Sequence, residues 1–112
     1  MALSAFGNVT TAGNVVFASV GNTAITWLSL CNYSGNAVSA NIHAVPNGDS
    51  LGTDNIIIAD LILNTGNGGG AGGDTYQLYN AAEKLVLADG ESIQVVANVD
   101  SAITVVTSYT QV

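Results

Sequence analysis

The one cysteine and the one histidine are the residues best suited to chemistry, Cys31 as a nucleophile and His43 as its base. Such a pair works only when thiol and imidazole come within hydrogen-bond reach, so the elements that carry them decide the matter. Ser34-Gly35-Asn36 reads as a turn between two long alternating runs, 23–33 and 37–45. A turn centred on Gly35 pairs residues whose numbers sum to 70: Leu28 with Ile42, Leu30 with Ala40, Asn32 with Val38. That face is mostly apolar and is expected in the core. The other face pairs Trp27 with His43, Ser29 with Asn41 and Cys31 with Ser39. Cys31 and His43 then share a face but stand four positions apart along it, roughly 13 Å at about 3.3 Å per residue. The expectation is an inert thiol and a satisfied or interfacial histidine, not a catalytic pair.

Other chemical patterns dissolve in the same way. A Ser-His-Asp hydrolase is not expected, because the nucleophile-elbow pattern G-x-S-x-G is absent. Gly68, Gly70 and Gly73 match G-x-G-x-x-G after the apolar run 56–63. That motif holds a pyrophosphate on a helix N-terminus. The next residues here, Asp74-Thr75-Tyr76-Gln77-Leu78-Tyr79, read as strand, and no lysine lies beside them to reach a phosphate. Asp49 and Asp54 flank a loop with Asn47 and Thr53, and Asp89 and Glu91 share a turn. Calcium takes about 6–8 oxygen ligands, and no known loop spacing supplies them here. Asp in turns ordinarily bonds the backbone. A structural zinc site needs more Cys and His than one of each. No cofactor, no metal and no enzymatic activity are expected.

Trp27 is different. In the register above it lies beside His43 on the non-core face, where a large aromatic marks either a subunit contact or a second layer of the same domain. Trp27, His43 and Asn41 are the candidate contact residues, with Tyr76 and Tyr79 as further ones.

These residues sit in a chain of 112 with formal net charge −7 and one basic residue, Lys84. Only 8% of residues are charged, against about 25% in an ordinary domain. Polarity comes from 12 Asn, 10 Thr and 9 Ser. One basic residue cannot neutralise a run of phosphates or hold an anionic membrane surface, so neither nucleic acid nor membrane is an expected partner. No run approaches the ~20 apolar residues of a membrane helix. Met1-Ala2-Leu3-Ser4 has neither a basic nor an apolar leader region, so no secretory leader is expected. Apolar residues reach 48%, enough for a packed core in one domain spanning 1–112.

Almost nothing reads as helix. Short runs rich in Val, Ile, Thr, Leu and Tyr fall near 8–11, 14–19, 23–33, 37–45, 54–63, 75–80, 84–88, 92–99 and 102–111. Pro46-Asn47-Gly48-Asp49 reads as a turn, Asp89-Gly90 as a short hairpin turn, and Asp100-Ser101 as the last hairpin turn. In the last two runs odd-numbered residues such as Ile93, Val95, Ile103 and Val105 are expected inward. Residues 66–73 form a Gly-rich loop. The pattern predicts an all-β, single-domain antiparallel sandwich, jelly-roll-like, of about eight strands. Soluble β proteins usually guard their sheet edges with lysines, and this chain has one. Its edges are expected to be covered or paired with neighbours.

Three stretches carry a family resemblance. Leu30-Cys31-Asn32-Tyr33-Ser34-Gly35-Asn36-Ala37-Val38, then Asn41-Ile42-His43-Ala44-Val45-Pro46-Asn47-Gly48, then Asn55-Ile56-Ile57, resemble small β-sandwich virion proteins of tailed phages. Leu85-Val86-Leu87-Ala88-Asp89-Gly90-Glu91-Ser92-Ile93-Gln94-Val95 is similar to their closing strand, acidic Gly turn and strand. The resemblance spans about residues 14–112, and the Gly-rich stretch 66–73 departs from the usual shorter loop. It implies a virion location, a homotrimer, and partners such as the major capsid protein. It also implies a role in capsid decoration or in a neck, tail or fibre.

Overall fold

The computed structural model describes residues 2–64, 75–78 and 84–112. Among them are nine strands and a single 3-10 turn, Thr53–Asn55. The strands are β1 (Ala2–Phe6), β2 (Asn14–Ala18), β3 (Thr23–Asn32), β4 (Val38–Val45), β5 (Ile56–Leu63), β6 (Thr75–Leu78), β7 (Leu85–Leu87), β8 (Ser92–Ala97) and β9 (Ile103–Gln111). They form two packed antiparallel sheets. Sheet A has the order β1-β9-β3-β6, with β7 also on β3, and sheet B the order β2-β8-β4-β5.

The pairings have a simple logic. β1 pairs with β9, β2 with β8, β3 with β6 and β4 with β5, so the first part of the chain runs as an antiparallel ribbon against the rest. Rolling that ribbon brings β9 onto β3 and β8 onto β4. The result is a jelly roll of eight strands with the short β7 added. Alternation puts Leu28 and Leu30 of β3, Ile103 and Val105 of β9, Ile42 of β4 and Ile93 and Val95 of β8 into one core, all at 0–1% exposure. Each such side chain contributes roughly 1.5–3 kcal/mol by leaving water.

The expected hairpin between 23–33 and 37–45 does not form. β3 lies in sheet A and β4 in sheet B, so Leu28 and Ile42 face one core from opposite sheets instead of pairing side by side. The link between them is a corner held by Asn32, which is fully buried. Its amide donates to the carbonyls of Asn36 (2.8 Å) and Leu63 (3.0 Å), and its Oδ1 accepts from the Ser34 amide (2.9 Å) and hydroxyl (2.7 Å). One side chain thus satisfies backbone groups of the corner itself and of the end of β5.

Two other expected hairpins are also crossings. Asp89-Gly90 does make a turn, closed by Glu91 N–H to Ala88 C=O at 3.1 Å, with Gly90 at φ +83°. It passes the chain from β7 in sheet A to β8 in sheet B. Asp100-Ser101 likewise joins sheet B to sheet A. The odd-numbered residues of β8 and β9 point inward as expected, but from facing sheets. The expected run at 8–11 is a loop: Asn8 sits at φ +63°, although Val9 is fully buried. The first strand is instead Ala2–Phe6.

Candidate interaction surface

The position of Trp27 is set by a β-bulge. Along β3, Ile25 pairs with Tyr109 and Trp27 with Ser108, so Thr26 is an extra residue. The Thr26 hydroxyl bonds the Ser108 carbonyl and hydroxyl, both at 3.1 Å, and fixes the bulge. Before it, Thr23 and Ile25 point into the core; after it, Leu28, Leu30 and Asn32 do. Trp27 therefore leaves the face of Ile25 and stands half-buried on the outer side of sheet A.

The register places its neighbours. Leu3, Ser108 and Trp27 form one row across β1, β9 and β3. Ala5, Val106, Ser29 and Gln77 form the next, and Thr104, Cys31 and Thr75 the one after. No strand of sheet A carries an Asp, Glu, Lys or Arg. Seven charged residues are described, and only Asp60 lies in a strand. The outer face of sheet A is thus aromatic, aliphatic, hydroxyl and amide.

His43 and Asn41 belong to the other outer face. They sit on β4 in sheet B, so the expected neighbourhood of Trp27 and His43 does not exist. His43 is 5% exposed and lies under its own loop, residues 46–55. Asn55 donates from Nδ2 to the Ser50 carbonyl (3.0 Å), which leaves its Oδ1 as acceptor for His43 Nδ1 at 2.7 Å. That assigns the imidazole proton to Nδ1. The same loop reaches farther over sheet B. A Cβ at Gly13 would lie 2.7 Å from Leu51 and 3.0 Å from Val96, and one at Gly90 would lie 2.6 Å from Asn47. Asn41 Oδ1 accepts the Asp60 N–H at 2.8 Å and holds a second bulge, with Asp60 at φ +53°.

Tyr76 pairs with Leu30 and so points inward, where it packs against the core. Tyr79 and the Gly-rich stretch 66–73 lie outside the described residues.

The catalytic alternatives come apart in space. Cys31 and His43 stand on the outer faces of different sheets, farther apart than the ~10 Å between stacked sheets. The His43 Nδ1 proton goes to an amide oxygen, where a hydrolase triad would place a carboxylate. Carboxylates cap turns: Asp89 accepts from Gly21 N–H, Asp100 from Thr11 N–H and Glu91 from Ala88 N–H, each at 2.8 Å. No group of three or more His, Cys, Asp or Glu able to hold a metal occurs among the described residues. Three surface depressions of about 290, 160 and 150 Å³ fall at or below the low end of small-molecule sites.

Two features escape the sequence. The exposed β1 row at Leu3 and Ala5 is one, because alanine and serine give no strand signal. Thr107 is the other. Its side chain is fully buried on the inner face of sheet A, and its hydroxyl has no hydrogen-bond partner among the described residues.

Comparison with family models, with curated proteins and with solved structures found no match to this chain. The fold defines its class as a two-sheet jelly-roll sandwich.

Proposed function

We propose that the chain is a non-enzymatic structural protein of a phage particle. It decorates or cements the capsid as a homo-oligomer bound to the major capsid shell. The observation that carries this reading is Trp27, half-buried on an outer sheet face whose strands hold no charge. Trp brings large contact area at small entropic cost, and an uncharged sheet can be desolvated without stranding an ion. The tailed-phage resemblance of residues 30–57 and 85–95 supports the particle as the place of action. His43 and Asn41 then serve by shaping sheet B, through Asn55 and Asp60, and Trp27 is the contact residue.

Counting copies in purified particles tests the proposal. Many copies spread over the shell support decoration. A few copies at one vertex replace it with a neck, tail or fibre role.

A reading of another class is favoured by one observation, the hydroxyl and amide groups of Ser29, Ser108, Thr75 and Gln77 in the rows around Trp27. A sugar could stack on the indole and bond those groups. Glycan-array binding by a monomer, abolished in Trp27→Ala, would support a carbohydrate-binding module and sink the structural reading.

A further inference from the structure

We propose that β1 is the contact between two copies of the chain, pairing antiparallel with the β1 of a second copy and joining their A sheets. This rests on the self-association in the proposed function but not on the particle.

The edges of the sandwich are not equally protected. β2 carries a register shift between Val15 and Phe17. β5 carries shifts against β4, and it presents the charge of Asp60 at a left-handed backbone position. β6 and β7, with four and three described residues, share the far side of β3. Bulges, charges and short length are the usual means of keeping an edge from pairing. β1 has neither bulge nor charge. Its five residues run along β9 without a shift, and no described strand lies on its other side. Leu3 on it is 70% exposed, and Ala5 is exposed as well.

The sequence of β1 says which strand fits. If Ser4 faces Ser4 of the second copy, residues pair so that their numbers sum to 8. Leu3 then faces Ala5, and Ala2 faces Phe6, in both directions. Each large side chain meets a small one, and no charge meets a charge. An isologous contact needs this self-complementarity. Repulsion between two −7 chains is smallest where the contact itself carries no charge, and the strands of sheet A carry none. A two-fold pair also differs from the trimer that the family resemblance implies.

Light scattering on the purified full chain at high micromolar concentration gives the test. The expected mass is twice 11.3 kDa. L3K/A5K puts Lys opposite Lys across the pair while lowering the net negative charge. Both sites are exposed, so the fold should persist by circular dichroism while the mass falls to that of one chain. In a Cys31→Ser background, Ser4→Cys should form a disulfide-linked dimer with glutathione disulfide as oxidant. Ala5→Cys should not, because its counterpart lies two positions off register. A wild-type monomer or trimer overturns the pairing. So does a dimer that L3K/A5K leaves intact, or equal crosslinking at positions 4 and 5. None of these results touches the copy number on the particle.

Discussion

Ile25 and Trp27 stand two residues apart in β3, yet on opposite faces of sheet A. In a regular strand they would share a face. The bulge at Thr26 breaks that parity and sends the indole outward while Ile25 stays fully buried. Bulges often re-aim a side chain in this way.

Trp27→Ala should therefore leave the monomer folded. The expected loss is below about 1 kcal/mol by urea unfolding, since the change avoids the core. If the proposed capsid role holds, binding to the shell should weaken. A loss of about 3–5 kcal/mol in the isolated chain would make Trp27 a core residue instead.

Asn32→Ala should be far more damaging. It strips a partner from the buried Leu63 carbonyl, and others from the Asn36 carbonyl and the Ser34 amide at the more exposed side of the corner. Each unsatisfied buried group costs about 1–3 kcal/mol. The urea midpoint should fall by the equivalent of at least about 2 kcal/mol. An unchanged midpoint would mean that the corner is not held by this side chain.

His43→Ala and Asn55→Ala should each loosen the 46–55 loop, by about 1–3 kcal/mol for the buried group left unpaired. Limited proteolysis within that loop reads the change. The double variant should lose less than the sum, because the two side chains share one bond. Strict additivity would show that they act separately.

Thr107→Val removes the buried hydroxyl that has no partner among the described residues. Stability should rise by about 1 kcal/mol, the low end of the cost of such a group. A drop in melting temperature would show that the hydroxyl is satisfied in solution.

Much of this architecture is legible in the residues. Alternation alone sends Leu28, Leu30, Ile42, Ile93 and Val105 inward, and the structure has them there. What alternation cannot give is the partner. Leu28 and Ile42 meet equally well side by side in one sheet or face to face across two, and the chain takes the second course. Asn32 holds the corner where the chain changes sheet, and its bond to the Leu63 carbonyl depends on a group that only the folded chain brings near. The Thr26 bulge likewise has no mark in sequence. β1 is silent because Ala2, Ser4 and Ala5 are poor strand formers that β9 enlists by pairing. The shortage of charge is legible at once. The structure adds its placement: seven described charges, six of them in turns and loops, and none on a strand of sheet A.

The most direct test of the proposed capsid role is the copy number of this chain in purified phage particles, counted by quantitative mass spectrometry against the major capsid protein. Copies in fixed proportion to the shell are expected, lost together when Trp27 is replaced by Ala. Absence of the chain from purified particles would contradict a role in decorating the capsid.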